Sequence, residues 1–266
     1  MRIKVLAFAA SLLLISSTSS GIPQSQTTTT SSPQAATLLA QSAKALAGTT
    51  AVNDVTLSGT AEWIAGSDDE IGTATYKGLS GSYRLDLTFR NRTRSEIVSP
   101  VNGLPSGKWT GLDGNSHAIA MHNLNSDPGW FPALTLGNLI SSPNSILTYV
   151  GQETRNASSV IHIGAYQQSP NISADVASKM QHLTQVEIYL DATTFLPVSY
   201  TYNSHPDDNA LLDLPTEIRY ADYQNVSGIQ MPFHIQKYVN GTLAIDLQLQ
   251  NVSLNTGITA AQITAQ

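Results

Sequence analysis

Very few residue groups in this chain have the types and spacing of a catalytic site. The stretch Gly114–His117 is the part nearest to a Gly-x-Ser-x-Gly nucleophile motif, but it has no second glycine and no strand-to-helix setting. His117 and His122 are five residues apart in a predicted strand, so their side chains should point to opposite faces. We therefore predict no catalytic residue and no enzyme activity. A hydrolase built on an unfamiliar site is the least favoured alternative.

Sites for ions and phosphate groups are equally weakly indicated. The chain has no cysteine and no His-Glu-x-x-His motif, so a transition-metal site has little support. Asp207 and Asp208 lack the regular oxygen-ligand spacing of a calcium loop. Arg90, Arg92 and Arg94 are expected in a solvated loop rather than in a phosphate site. All six histidines are interpreted as surface or loop residues, and we predict no metal and no cofactor.

Composition and charge point to one acidic globular unit. The 266 residues are 41% hydrophobic and only 12% charged, which is enough for a single sizeable core. The formal net charge is −6, and it becomes −8 if Arg2 and Lys4 are removed with a leader. An acidic protein repels the phosphate backbone, so a nucleic-acid partner is not expected.

The beginning of the sequence has the pattern of an export signal. A basic start is followed by the short apolar run Val5–Ile15 and by small polar residues, which predicts a signal peptide over residues 1–20. Residues 21–36 are rich in Gln, Ser, Thr and Pro and are expected to form a disordered linker. Residues 37–266 would then form one domain. Without cysteine there can be neither a lipid anchor on cysteine nor a disulfide, and we expect a bacterial periplasmic or secreted protein.

Helical spacing appears in three places. Apolar residues predict an amphipathic helix over Thr37–Ala47, with Thr37 as the N-cap and Gly48 after its end. Ser173 is predicted to cap a second helix that runs to Leu183. The apolar segment from Trp130 to Ile140 is broken by proline and glycine, and it could be a short helix that plugs the core or a mobile lid over a cavity.

Strict alternation of apolar and polar residues predicts strands over most of the remaining chain, most clearly over Gly228–Val252. This stretch reads as two strands joined at Asn240-Gly241. A two-residue turn would mix the apolar and polar faces, whereas a three-residue loop with Gly241 as a bulge sets Ile235 opposite Ile245. Burial therefore favours the three-residue loop.

The run Val186–Tyr200 carries the pattern hydrophobic-x-Leu-Asp-x-x-Thr-x-Leu-Pro, and Pro215–Pro232 and the closing hairpin follow it. Together these stretches resemble the periplasmic lipoprotein-carrier superfamily of LolA/LolB-like proteins. The resemblance implies an α+β, mainly antiparallel fold. Its strongly curved half-barrel sheet would have short helices covering the concave face.

The resemblance also implies a non-enzymatic carrier for a hydrophobic ligand such as a lipid or acyl chain, with a membrane or lipoprotein partner and a monomeric chain. A structural or protein-interaction module with a filled core is the alternative. Each buried CH₂ of a ligand would contribute about 0.8 kcal/mol in an apolar concavity. The predicted lining residues are Tyr83, Leu85, Leu87, Phe89, Trp130, Phe131, Ile188, Phe233, Ile245 and Leu247.

Overall fold

The computed structural model describes residues 30–111, 113–124 and 128–265. The predicted signal peptide and most of the predicted linker lie outside this range. The helices are α1 (Pro33–Ala47), α2 (Pro132–Ser141), α3 (Ala174–Thr184) and α4 (Ala260–Thr264), with a 3₁₀ helix at Met121–Leu124. The strands are β1 (Asp54–Ala65), β2 (Asp68–Leu79), β3 (Ser82–Thr88), β4 (Thr93–Val98), β5 (Gly107–Thr110), β6 (Ser116–Ala118), β7 (Ser145–Arg155), β8 (Ser158–Gln167), β9 (Val186–Asp191), β10 (Pro197–Ser204), β11 (Leu214–Val226), β12 (Ile229–Val239) and β13 (Thr242–Leu254).

All thirteen strands form one antiparallel sheet in the order β6-β5-β4-β3-β2-β1-β13-β12-β11-β10-β9-β8-β7. Strands that follow one another in the chain pair with each other, except for β6 and β7, and the central pair β1 and β13 joins the two halves. The sheet remains open, with β6 and β7 as its edges. This architecture confirms the predicted curved half-barrel with a few short helices. No helix in the described part of the chain is long and apolar enough to cross a membrane.

The two faces of the sheet differ in polarity because side chains alternate along each strand. On β3, Leu85 and Leu87 are buried on the concave side and belong to the single hydrophobic core, which also includes residues of α1 and α2. The opposite, convex side carries charged groups. There Glu217 accepts hydrogen bonds from Arg155 at 2.7 Å and from Arg219 at 2.8 Å.

Helix α1 starts earlier than predicted. Ser32, not Thr37, is the N-cap, since its side chain accepts a hydrogen bond from the backbone of Ala35, and Pro33 occupies the first turn. Part of the predicted linker is therefore helical. The helix ends at Ala47 and Gly48 follows it, as expected, with a φ of 58°. The buried side of α1 packs against α2, β7 and β12.

Helix α2 and the residues before it plug part of the concave face, as the first of the two alternatives predicted. Trp130 and Phe131 are each 1% exposed, and Leu134 and Leu136 of α2 are also buried. The hydroxyl of Tyr220 on β11 donates a hydrogen bond to the carbonyl of Gly129. This bond fixes the start of the plug to the sheet.

The predicted register of the closing hairpin is wrong in detail. Val239 pairs with Thr242, so the turn has two residues, and Asn240 and Gly241 both have positive φ. The register then shifts between Lys237 and Tyr238, and Ile235 lies opposite Leu247 instead of Ile245. The bulge that keeps the apolar faces together is thus inside the strand pair and not in the loop.

Two further expectations fail around β4 to β6. Arg94 belongs to β4 and not to a solvated loop, and its guanidinium lies 4.6 Å from the ring centre of Trp63. His117 is in β6, whereas His122 is in the 3₁₀ helix, so the two histidines do not share a strand. The second difference arises because β6 ends at Ala118, four residues before His122.

Candidate functional site

The concave face is only partly covered, and the uncovered part forms a main cleft of about 510 Å³. The main cleft is bounded by β3 to β5 on one side, by α2 on another and by β9 and β10 opposite. This volume lies within the range of about 300–1,000 Å³ that is typical of ligand pockets. Because antiparallel neighbours on both halves of the sheet curve around it, the main cleft is a consequence of the fold.

Part of the main cleft wall is apolar. Leu134 and Leu139 of α2 face it, and Val98, Val186 and Tyr200 of the sheet border it as well. These side chains lie on one face because the helix and the strands each turn their apolar positions towards the concave side. Such a wall can bind hydrocarbon but offers no hydrogen bonds to it.

A tyrosine and a glutamate are among the many polar residues that border the main cleft. The hydroxyl of Tyr83 on β3 donates a hydrogen bond of 2.5 Å to Oε1 of Glu96 on β4. Burial raises the pKa of Tyr83 well above its ordinary value, and the negative charge of Glu96 raises it further. Tyr83 therefore remains protonated and continues to act as the donor.

Lys237 on β12 places a positive charge on the concave face. Burial by itself lowers the pKa of Lys237, but Tyr202 and Glu96 outweigh this, and the pKa lies above its ordinary value. Its ammonium group is also 5.6 Å from the ring centre of Trp130, a distance at which cation–π attraction operates. Lys237 is therefore charged where it borders the main cleft.

A second hollow of about 280 Å³ continues from the main cleft across Lys237, Glu96 and Trp109, which border both. Its wall combines apolar residues with Arg94. Burial and the neighbouring Arg92 lower the pKa of Arg94 from its ordinary value. The two hollows together give the concave face a mixed surface of apolar and polar residues, and the charged groups of Lys237 and Glu96 lie where the hollows meet.

The structure distributes the ten predicted lining residues over several environments. Tyr83 borders the main cleft, while Leu85, Leu87 and Ile245 border the second hollow. Trp130 and Leu247 border a small apolar void of about 10 Å³ together with Leu85. Of these three cavities, none is bordered by the remaining four residues, which are Phe89, Phe131, Ile188 and Phe233.

Sequence reasoning missed the polar residues of the main cleft. Lys237 follows Ile229, Met231 and Ile235 on the same face of an alternating strand, and that position was the available signal. A charged residue on the apolar face of a strand either extends its charged end to solvent or belongs to a binding site. Glu96 and Tyr202 had no comparable signal, because their proximity to Lys237 depends on pairing between distant strands.

His205 lies in the loop between β10 and β11, in keeping with the interpretation of the histidines as surface or loop residues, but it is buried there. Its side chain is 1% exposed, and Nε2 lies 3.1 Å from Oδ1 of Asp213. His182 at the end of α3 also approaches Asp213, and the ring of His122 is 5.9 Å from that of His205. Three histidines that are far apart in sequence thus meet beside one end of the main cleft.

No family model and no curated protein matches the chain. Its structure is nevertheless similar to solved structures. A domain named as an outer membrane lipoprotein-sorting protein from Vibrio parahaemolyticus has a TM-score of 0.53 and 12% identity, covering 85% of this chain and 94% of that one. A LolA superfamily protein from Nitrosomonas europaea has a TM-score of 0.52 and 10% identity, covering 83% and 93%.

A DUF1329 family protein from Desulfovibrio piger has a TM-score of 0.55 and 9% identity, covering 87% of this chain and 96% of that one. At such low identities the similarity concerns the fold alone. The chain has a LolA-like fold, as the strand and turn pattern of its sequence indicated.

Proposed function

We propose that this protein is an exported, non-enzymatic carrier that binds a lipid or another amphiphile with an acyl chain in the main cleft. The observation that carries the proposal is the incomplete cover of the concave face, which leaves about 510 Å³ beside an apolar wall. The fold it shares with a protein named for lipoprotein sorting supports this function. Residues 1–20 would direct export, the residues between them and α1 would act as a linker, and the carrier domain would begin with α1.

The orientation of the ligand follows from the distribution of charge. The acyl chain would lie against Leu134 and Leu139, and the polar end would lie near Lys237 and Glu96. The ten lining residues predicted from the sequence would then contribute unequally. We expect Tyr83, Leu85, Leu87 and Ile245 to contact the ligand and the others to support the wall from the core.

The expected binding energy is sufficient for a carrier. An acyl chain of about fourteen carbons gains on the order of 10 kcal/mol from burial at about 0.8 kcal/mol per CH₂. Loss of translational and rotational freedom offsets about 4–15 kcal/mol of this gain. At the lower end of this cost, a net gain of about 6 kcal/mol remains, which is a moderate affinity that would still allow a carrier to release its cargo.

A filled-core interaction module is the competing function. Trp130, Phe131 and α2 do fill part of the concave face, which is the observation in its favour. The volumes that remain in the main cleft and the second hollow weigh against it. A module of this kind would have no saturable affinity for acyl chains.

A titration with a fluorescent long-chain fatty acid tests the proposal. Leu139→Trp adds volume to the main cleft wall, because Leu139 is only partly buried there. Ile71→Trp adds the same residue type at a position that is 77% exposed on β2. We expect saturable binding to the wild type and to Ile71→Trp, and binding at least about tenfold weaker for Leu139→Trp. Equal affinity of all three proteins would contradict binding in the main cleft.

A further inference from the structure

A group of metal-binding side chains lies beside the main cleft, at the C-terminal end of α3. His182 comes from α3, and His205 and Asp213 come from the two ends of the connection between β10 and β11. One donor atom from each residue lies within 4.8 Å of the other two. The individual distances to Oδ1 of Asp213 are 3.2 Å from Nε2 of His182 and 3.1 Å from Nε2 of His205.

We propose that His182, His205 and Asp213 form a binding site for a divalent first-row transition-metal ion such as Zn²⁺. Imidazole nitrogen and carboxylate oxygen are common zinc ligands, at about 2.0–2.2 Å from the ion. In a tetrahedral site with such bonds, neighbouring donor atoms are about 3.3–3.5 Å apart. The two measured separations are close to this value, so a small outward movement of Asp213 would admit the ion.

The buried half of the site is fixed before any ion binds. Asn123 of the 3₁₀ helix clamps the backbone of His205, since its side chain accepts from the His205 amide at 2.9 Å and donates to the His205 carbonyl at 2.8 Å. His122 also contacts the next carbonyl, that of Pro206, at 3.0 Å. A ligand held in this way loses little conformational entropy when it binds an ion.

The two ligands in the exposed half of the site can change position, and an ion can reach the site from solvent on that side. The side chains of His182 and Asp213 are 36% and 41% exposed, against 1% for His205. Within the described residues, Nε2 of His182 and Nδ1 of His205 have no hydrogen-bond partner. Nε2 of His182 meets the distance to Asp213 but not the geometry of a hydrogen bond, so its lone pair is available.

The electrostatic environment also suits a cation. The carboxylate of Asp213 supplies a negative charge within the group. His182 lies in the last turn of α3, where the helix dipole places partial negative charge.

A bound ion would have a structural consequence for the main cleft. Thr184 follows His182 by two residues, and Ser204 precedes His205, and both of these neighbours border the main cleft. The ion would join α3 to the connection between β10 and β11 and so hold two sides of the wall together. This role does not depend on which ligand the main cleft binds.

Calorimetric titration of the full chain with Zn²⁺, after removal of metal with a chelator, tests the site. His182→Ala removes one donor, and Asp213→Asn replaces a carboxylate donor by a neutral and weaker one, both in the partly exposed half, where folding is least at risk. His234→Ala is the matched control, because His234 also pairs with a carboxylate, that of Asp246 at 3.0 Å, but on β12. Circular dichroism of each variant verifies the fold.

We expect one Zn²⁺ per chain for the wild type and for His234→Ala, and affinity lower by about 10- to 100-fold or more for His182→Ala and Asp213→Asn. Zn²⁺ should raise the melting temperature of the first two proteins and leave that of the other two nearly unchanged. The proposal is overturned if the wild type binds no Zn²⁺, or if either ligand variant binds it as tightly as the wild type. In that case the cluster is only a hydrogen-bonded contact between His205 and Asp213.

Discussion

At the scale of single residues, the most informative side chain is Lys237. It lies on the apolar face of β12, where a charge is costly unless it has partners. Tyr202, Glu96 and the ring of Trp130 provide these partners, and the resulting cluster borders both cavities of the concave face. Its position where the main cleft meets the second hollow lets this charge reach the polar end of a ligand in either one, which favours a role in ligand binding.

Replacement of Lys237 by methionine tests this role. Lys237→Met keeps the length of the side chain but removes its charge, so a fatty acid should bind about tenfold more weakly, while the corresponding fatty alcohol should bind about as well as before. Competition titrations with both compounds provide the measurement. Lys77→Met is the control, because Lys77 lies on β2 on the side of the sheet opposite to the main cleft. This change should alter neither the affinity for the fatty acid nor that for the fatty alcohol. A loss for both compounds alike would show that Lys237 supports the wall and does not contact the polar end of the ligand.

At the scale of elements, the sequence predicted most strands and helices because their periodic patterns are local. The alternation in β3 and β12 and the serine cap of α3 are visible without any tertiary information. The start of α1 was misplaced because Ser32 and Pro33 form a capping pair within a stretch whose composition suggested disorder. Local capping chemistry outweighed composition at that point.

The hairpin between β12 and β13 shows a second limit. Burial requires the apolar side chains of both strands to lie on one face, and the structure meets this requirement. Two arrangements satisfy it: a three-residue loop, or a two-residue turn with a bulge inside the strand pair. An Asn-Gly turn with two residues is favoured locally, and the bulge then moved into the strands beside Lys237. The position of a bulge depends on how both strands pack on their other neighbours, which a single sequence does not reveal.

Two glycine substitutions test the description of these elements. Gly241 has a φ of 77°, so Gly241→Ala should lower the free energy of unfolding by about 1 kcal/mol. Gly137 lies on the exposed side of α2, away from the ends of the helix, and an added Cβ would meet nothing within 4 Å. Gly137→Ala should therefore raise the free energy of unfolding by about 0.5–1 kcal/mol. Urea unfolding measures both. Changes of the same sign would be inconsistent with the described hairpin or helix.

Asp54 at the start of β1 fixes the segment that follows β13. Its carboxylate accepts hydrogen bonds from the backbone amides of Thr256 and Gly257 at 2.8 and 2.9 Å. Burial by itself would raise the pKa of Asp54, but these hydrogen bonds outweigh it and the pKa lies below the ordinary 3.8. Ionised Asp54 therefore contributes stability above about pH 3.8, and this contribution is lost as the pH falls through the lowered pKa.

Asp54→Asn should accordingly lower the free energy of unfolding by about 2 kcal/mol at neutral pH. The difference from the wild type should shrink as the pH falls below about 3.8, because Asp54 then becomes protonated in both the folded and the unfolded chain. Asp175→Asn, whose side chain is 73% exposed on α3, is the control. Urea unfolding at a series of pH values gives the comparison, and a pH-independent deficit would argue against the ionised carboxylate as the source of stability.

At the scale of the whole molecule, the single open sheet explains which features of the fold and the site could be predicted from the sequence and which could not. Its apolar face was evident from alternation, and the resemblance to LolA-like carriers indicated its curvature. The polar centre of the main cleft and the cluster of His182, His205 and Asp213 required the three-dimensional pairing of distant segments. Such contacts leave no periodic signal, because each partner is isolated in its own stretch of sequence.

The central claim is that the uncovered concave face binds an amphiphile, and native mass spectrometry of the protein tests it most directly. The protein would be purified without detergent from the bacterial cells that produce it and compared with Leu139→Trp. We predict one lipid-sized adduct per chain for the wild type and little or none for Leu139→Trp. A wild-type protein that is repeatedly recovered free of any adduct, or an adduct equally abundant on Leu139→Trp, would contradict the claim.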